Sequence, residues 1–199
     1  MKYISIGSVN RPSTEHIVYV SHCGYDYTLT ADLAAVWLDG RFGFDQVRNQ
    51  LQTKALMQLE RMGLVVITED VLEGEYRALT KVRLVPAKSK NPYLGLSRNE
   101  KTALKWITET GLVLSMAELV YLMERDIEPD ARYLGQENVQ QLVERIYTKD
   151  TIFDNILENQ MERAEKRDQV VKLVLSLLKK KRIVLLYVLF HPLLYLFRL

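Results

Sequence analysis

Polar side chains between residues 46 and 58 have the types that recognise nucleic-acid bases. Amide and guanidinium groups pair with purine edges through two hydrogen bonds, and lysine neutralises phosphate. The members of this set are Arg48, Asn49, Gln52, Thr53, Lys54 and Gln58. The set predicts a helix face that contacts base edges in the DNA major groove, although an ordinary solvated helix surface has the same composition.

A second group of cations follows along the chain and is suited to the sugar-phosphate backbone. Its members are Arg77, Lys81 and Arg83, with Lys88 and Lys90 further on. Contacts to phosphate fix the orientation of a protein on the duplex without reading sequence. The two groups together predict double-stranded DNA as the partner.

Patterns for catalysis and for metal or cofactor binding are missing from the sequence. His16, His22 and His191 do not have metal-ligand spacing, and glycine-rich phosphate loops are absent. Cys23 follows His22 directly, and adjacent strand residues point to opposite faces, so we expect no hydrogen bond between them. We therefore predict a non-catalytic protein with no metal and no cofactor.

Composition excludes several other classes of protein. With 48% hydrophobic and 26% charged residues, the chain is an ordinary folded protein and not a disordered one. A single cysteine excludes an internal disulfide, and residues 1–16 lack the apolar run of a secretory signal, so we expect a cytoplasmic protein. The net charge is only +2, but acids predominate over 118–162 and bases over 163–182.

The first half predicts a hairpin followed by helices and a second pair of strands. Residues 16–20 and 25–29 are β-branched and aromatic, with a short turn between them. Thr30 and Gly40 bracket a short helix as its N-terminal cap and its left-handed stop. From 44 to 62 apolar residues recur three or four apart, which predicts one or two helices.

A two-stranded wing is expected after these helices. Residues 64–68 form a compact apolar strand, the chain turns at Gly74, and residues 76–85 run back extended. This wing would lie behind the helix that carries the candidate base-reading residues.

The second half predicts mostly helices. Two capping boxes, Ser97 with Glu100 and Ser115 with Glu118, each mark a helix start. Helical patterns also cover 138–147 and a long stretch from about 152 to 180.

The fold class expected is α+β, mostly helical, with tandem winged-helix-like domains and small β-hairpins. Pro92 and Gly95 lie in a polar connector over 88–95, where we place the domain boundary. The predicted domains are a winged helix with an N-terminal hairpin over 1–90 and a helical unit over 91–199. The second unit would be another winged helix or a dimerisation domain.

The last seventeen residues, 183–199, are strongly apolar but too short and too interrupted to span a membrane. A buried strand, a turn and a short packing segment are expected there. Such an apolar tail needs a cover, which predicts a homodimer formed through the C-terminal region.

The segment 55–80 resembles the helix-and-wing part of winged-helix regulators such as the MarR and PadR families. The shared features are a leucine-rich helix closed by Gly63, the strand 64–68, and the sequence from Tyr76 to Thr80. The resemblance implies a winged-helix DNA-binding protein that acts as a transcriptional regulator.

The first half also resembles the PqqD-type peptide-recognition domains. The shared features are the hairpin, Trp37 to Gly40, the helix near Phe44, and the turn from Leu59 to Val65. This resemblance implies an adaptor that adds a peptide as a strand to an exposed sheet edge, either 16–20 or 25–29. The aromatics Tyr19, Tyr25 and Tyr27 would then form side-chain pockets.

Overall fold

A computed structural model of the chain describes residues 1–14, 16–69, 73–147 and 156–187. Within these ranges the protein contains eight α-helices, one short 3-10 turn and three small antiparallel sheets. The predicted α+β class is therefore confirmed.

The strands are β1 (Lys2–Ser5), β2 (Ser8–Val9), β3 (Ile17–His22), β4 (Tyr25–Thr30), β5 (Asp45–Gln46), β6 (Val65–Thr68), β7 (Arg83–Pro86) and β8 (Ile183–Leu186). The helices are α1 (Ala31–Asp39), α2 (Gln50–Arg61), α3 (Gly74–Thr80), α4 (Arg98–Glu109), α5 (Met116–Glu124), α6 (Val139–Ile146), α7 (Ile156–Met161) and α8 (Arg167–Lys179). The strand orders are β5-β1-β6, β2-β3-β4 and β7-β8.

The predicted hairpin of the first half is confirmed as β3 and β4. Cys23 and Gly24 form its two-residue turn, with φ values of 50° and 82°. Positive φ at both central residues defines the tight turn whose twist matches the two strands that it joins. His22 and Tyr25 are thus directly opposite each other.

The predicted ends of α1 are correct in position and wrong in mechanism. Thr30 precedes the helix, but its side chain makes no capping hydrogen bond. Gly40 follows the helix with φ of −82°, which is not left-handed. Its lack of a side chain instead allows a close approach, because an added Cβ would lie 2.6 Å from Cε2 of Tyr3.

Helix α2 starts later than the apolar periodicity predicts. The side chain of Asn49 accepts a hydrogen bond from the backbone N–H of Gln52 and begins the helix there. The preceding residues pair with β1 as strand β5.

The predicted wing is wrong. β6 pairs with β1, and residues 74–80 form helix α3 where an extended strand is expected. Tyr76 and Leu79 are buried at helical spacing, and the Tyr76 hydroxyl donates to the carbonyl of Glu158, 2.9 Å away. β7 then pairs with β8 from the end of the chain.

The second half largely follows its predicted pattern. Both capping boxes form, because each serine accepts from its partner's N–H and each glutamate accepts from the serine's N–H. The predicted helix over 138–147 is α6. The long helix expected over 152–180 is two helices, because residues 162–166 turn between α7 and α8; residues 152–155 lie outside the described ranges.

Two apolar cores meet at β1. Ile4 and Ile6 pack with the core that holds α3, α4, α5, α8, β7 and β8. Tyr3 packs with the hairpin, α1 and α2, because successive strand residues face opposite sides. Residues 74–86 thus share the core of the second half, and a boundary at residue 90 separates β7 from its partner strand.

The start of the apolar tail is a buried strand, as expected. Ile183 and Leu185 of β8 are each 1% exposed. The predicted turn and packing segment fall on residues 188–199, outside the described ranges. Across the described part of the chain, no helix is long and apolar enough to cross a bilayer.

Candidate functional site

The outer face of α2 is open to solvent. Its buried residues, Ala55, Leu56 and Leu59, pack in the first core with the hairpin and α1. Lys54 and Gln58 are exposed and have no partner among the described residues. Arg48 is also exposed and lies 3.6 Å from a carboxylate oxygen of Asp45. These three predicted residues are therefore each accessible to solvent.

The other three predicted residues of this set hold the start of the helix together. Asn49 caps it, and the Gln52 side chain accepts from the N–H of Arg48 at 2.8 Å. The hydroxyl of Thr53 donates to the carbonyl of Asn49 at 3.0 Å. Because these groups are engaged with backbone, Asn49, Gln52 and Thr53 are not available to read bases without breaking the cap.

Two of the five cations predicted to bind the DNA backbone are paired with carboxylates. Arg77 is paired with Glu162, with Nε and Nη2 both 2.6 Å from Oε1. Arg83 is mostly buried and lies 3.5 Å from Glu118. Lys81 alone of the three is exposed and without a carboxylate partner in the described part. The sequence pattern missed these pairings because both acids come from the distant second half.

A different group of cations comes together where the connector meets the end of α8. We call it the basic surface and define it as Arg41, Lys88, Lys90, Lys179, Lys181 and Arg182. Arg182 donates from Nη1 to Oγ of Ser89 at 2.8 Å, and its carbonyl accepts from Ala87 at 2.9 Å. The connector therefore lies directly beside the last turn of α8.

An aromatic ring joins the α1–β5 loop to the basic surface. The Lys181 ammonium lies 5.2 Å from the ring centroid of Phe42, and the Arg41 guanidinium lies 4.8 Å from it. Burial lowers the pKa of Arg41 below its usual value. Cation–π contact holds both charges at this position without neutralising them.

No acid in the described ranges neutralises the basic surface. Among the described residues, none of its six cations has a carboxylate at ion-pair distance. The neighbouring Lys180 differs, because its ammonium lies 2.7 Å from Oε1 of buried Glu100. Four of the cations, Lys88, Lys90, Lys179 and Lys181, are exposed and present positive charge to solvent, whereas Arg41 and Arg182 are half-buried.

A cavity of about 610 Å³ lies between the α1–β5 loop and the end of α8. Phe42, Phe44 and Leu175 supply its apolar lining, and Asp45 and Lys179 lie on its rim. Asp45 also contacts Arg48, which precedes α2. Of the base-reading candidates, Arg48 thus lies near the cavity that Lys179 of the basic surface also lines.

Among the strands that the structure describes, none pairs with the outer edge of β4. β3 lies between β2 and β4, so the alternative edge at 16–20 is interior to the sheet. The backbone N–H of Tyr19 donates to Ser13 Oγ and its carbonyl accepts from the N–H of Asn10, both on the side away from β4. Thr28 is opposite Tyr19, so its own N–H and C=O point to the outer edge of β4.

The hairpin tyrosines do not form one cluster. Tyr25 is 68% exposed, and Tyr27 is half-buried on the same face of β4. Tyr19 lies on the opposite face, where the Arg11 guanidinium covers its ring at 5.8 Å. Only Tyr25 and Tyr27 can therefore flank a strand added to β4.

His22 and Cys23 are in contact, contrary to the expectation from strand alternation. The Cys23 sulfur lies 3.3 Å from Nε2 of His22. The reason is the turn: with φ of 50°, Cys23 is not in strand geometry and its side chain folds back. Burial raises the pKa of the thiol and lowers the pKa of the imidazole, so both shifts oppose a thiolate–imidazolium pair.

Within the described ranges, no group of three or more His, Cys, Asp or Glu side chains could hold a metal ion. No protein-family model, curated protein or solved structure matches the chain.

Proposed function

We propose that this chain is a non-catalytic DNA-binding protein that regulates transcription, and that its basic surface holds the backbone of double-stranded DNA. The observation that carries the proposal is the gathering of six cations from three chain segments with no carboxylate partner in the described part. Cations that neutralise phosphates release condensed counterions, which supplies most of the non-specific affinity for DNA.

The backbone of Lys181 supports a role in binding. Its φ is 57°, in the left-handed region, and it ends α8 with hydrogen bonds from Lys181 N to Leu178 O and from Arg182 N to Leu177 O. Glycine is the usual residue here, and another residue costs about 1 kcal/mol. The presence of lysine at this unfavourable backbone position is consistent with a role of its ammonium in binding a ligand.

Arg48, Lys54 and Gln58 would contact base edges from the open face of α2. Arg48 contacts Asp45, which lines the same cavity as Lys179 of the basic surface. In DNA recognition, contacts to phosphate usually position the protein, and a neighbouring helix contacts the base edges.

The second half supports a winged-helix-like unit as part of this function. β7 lies between β8 and Ser115, and α4, α5 and α8 share the same core. Helices packed on a three-membered antiparallel sheet are the components of such a unit. If the chain holds two winged-helix-like units in tandem, β1 and β6 belong to the sheet of the N-terminal unit.

Charge reversal tests the proposal. Fluorescence anisotropy would measure binding to duplex DNA from upstream of the coding sequence, for the wild type and for Lys88→Glu/Lys181→Glu. The matched control is Lys101→Glu/Lys105→Glu, which makes the same charge change on α4, where Lys101 is exposed and Lys105 is half-buried. We expect the first variant to bind DNA about tenfold more weakly or worse. The control should lose only about a tenth as much binding free energy. Equal losses in both would contradict the proposal.

A second candidate function is a peptide adaptor, and the unpaired outer edge of β4 favours it. Peptides add to such an edge through backbone hydrogen bonds. Thr28→Pro would remove an outward N–H without disturbing the pairing to β3, whereas Thr28→Ala would keep that N–H. Peptides selected from a random phage-displayed library should bind the alanine variant and lose binding to the proline variant. Retained binding to the proline variant would exclude β4 as the site.

A further inference from the structure

The cavity between the α1–β5 loop and the end of α8 has the size and lining of a small-molecule site. Its volume of about 610 Å³ lies within the usual range for such sites, about 300 to 1,000 Å³. Phe42, Phe44 and Leu175 form an apolar wall on which a planar ring can lie. Ser176 and Lys179 add polar groups from α8. The lining thus combines apolar surface with groups that can orient a ligand.

Asp39 lines this cavity and has no visible role in the fold. Its side chain is exposed and makes no hydrogen bond or ion pair with any described residue. It is also the last residue of α1, where the helix dipole disfavours negative charge. An acid that is unfavourable for its own helix and lines a cavity is consistent with a use in binding.

Asp45 brings a second carboxylate to the same cavity. Its ion pair with Arg48, at 3.6 Å, is weak because the arginine is exposed to solvent. Burial, and then the negative charges of Asp45 and Asp39, raise the pKa of Tyr3. Both carboxylates therefore lie near the ring of Tyr3, on the same side of the cavity.

Positive charge surrounds these two carboxylates. Lys179 lines the cavity itself, and the Arg41 and Lys181 side chains lie 4.8 and 5.2 Å from the ring centroid of Phe42. A simple cation would be repelled by these three groups, and a simple anion would be repelled by the carboxylates. The ligand that fits presents hydrogen-bond donors to the acids and negative charge to the lysine.

A guanine nucleotide meets each of these requirements. An ionised carboxylate can only accept hydrogen bonds. Guanine presents two neighbouring donors, N1–H and N2–H₂, whereas adenine and cytosine place an acceptor nitrogen beside their amino group. Aromatic side chains pack against the planar face of a base, and a lysine ammonium pairs with phosphate.

We propose that this cavity binds a free guanine nucleotide. Asp39 and Asp45 accept hydrogen bonds from the base, and Phe42 and Phe44 pack against its ring. Lys179 holds the 5′-phosphate. A free nucleotide is favoured over a base in DNA, because a base in a duplex must first be unstacked and extruded. The site goes beyond DNA binding and does not depend on it.

Isothermal titration calorimetry of the full chain with GMP, IMP and AMP tests the specificity. We expect GMP to bind at one site per chain. IMP, which lacks the N2 amino group, and AMP, which lacks both donors, should bind at least about tenfold more weakly, because each loses a hydrogen bond to a charged group. Absence of GMP binding, or AMP binding as tightly as GMP, would overturn the proposal.

A matched pair of variants on one helix tests the location. Asp39→Asn should weaken GMP binding about tenfold or more, because it removes a charged acceptor. Asp32→Asn makes the same change at the other, exposed end of α1 and should leave the affinity unchanged. Urea unfolding should show Asp39→Asn to be at least as stable as the wild type, so lost binding is not lost folding. Equal affinity in the two variants would place the nucleotide elsewhere and overturn the proposal.

A cavity-blocking variant and an oligonucleotide complete the test. A Cβ added to Gly43, which lines the cavity, would meet nothing within 4 Å, so Gly43→Leu should fold normally. We expect this variant to lose GMP binding. A single-stranded deoxyguanosine oligonucleotide that binds the cavity more tightly than GMP would assign the site to nucleic acid and overturn the proposal of a free nucleotide.

Discussion

At the scale of single residues, the most consequential side chain outside the candidate site is Glu100. Its side chain is 7% exposed. Oε1 accepts from Lys180 at 2.7 Å and Ser176 at 2.6 Å, while Oε2 accepts from the N–H of Ser97 at 2.7 Å. These hydrogen bonds, of which the one from Lys180 has the largest effect, lower the pKa of Glu100 from 4.5 to about 2. The carboxylate thus ties the start of α4 to the end of α8.

We predict that Glu100→Gln destabilises the protein by about 2 kcal/mol at neutral pH, because hydrogen bonds to the charged form are lost. Because the pKa of Glu100 is lower in the folded chain than in the unfolded chain, its ionised carboxylate stabilises the fold above pH 4.5. This contribution disappears as the pH falls towards about 2. Urea unfolding at several pH values would measure the difference from wild type. The control Glu165→Gln changes an exposed acid and should have little effect; an equal loss in both, or a loss independent of pH, would contradict the prediction.

Residue-level features were predictable where they depend on local sequence alone. The boxes Ser97 with Glu100 and Ser115 with Glu118 form as predicted, because every group in them lies within one helical turn. The contact between Cys23 and His22 was not predictable from strand alternation. It requires positive φ at Cys23, which the neighbouring Gly24 suggests only in retrospect.

At the scale of elements, helix α3 marks the largest departure from expectation. Its seven residues show little periodicity, and Tyr76 and Thr80 also suit a strand. Contacts to the second half favour the helix over a strand. The Tyr76 hydroxyl donates to the carbonyl of Glu158 at 2.9 Å, and Arg77 Nε donates to Glu162 at 2.6 Å. Because these partners lie more than 80 residues away, no local pattern could reveal them.

We predict that Arg77→Ala lowers stability by about 0.5 kcal/mol, since the pair with Glu162 is largely exposed on the arginine side. A double-mutant cycle with Glu162→Ala should give a coupling free energy of similar size. DNA affinity should stay within about twofold of the wild type, because Arg77 lies outside the basic surface. A clear loss of DNA affinity with no coupling would restore Arg77 as a phosphate contact.

At the scale of the whole molecule, charge and packing join the two halves. β1 contributes to both cores, and the N–H of Gly7 donates to the carbonyl of Leu185 at 2.8 Å. The sequence predicted the α+β class and most helices, because these depend on periodicity and capping. It did not predict the basic surface, whose segments are brought together by the pairing of β7 with β8 and by the packing of Phe42 against Lys181. The homodimer through the C-terminal region stays a prediction.

The salt dependence of DNA binding tests the central claim most directly, because its slope counts the phosphates that the protein neutralises. With up to six cations engaged, we expect log Kobs to fall against log salt concentration with a slope of about −5. Lys88→Glu/Lys181→Glu should make the slope shallower by about 2, and Lys101→Glu/Lys105→Glu should leave it unchanged. A slope near zero, or one that the first variant does not alter, would contradict DNA binding through the basic surface.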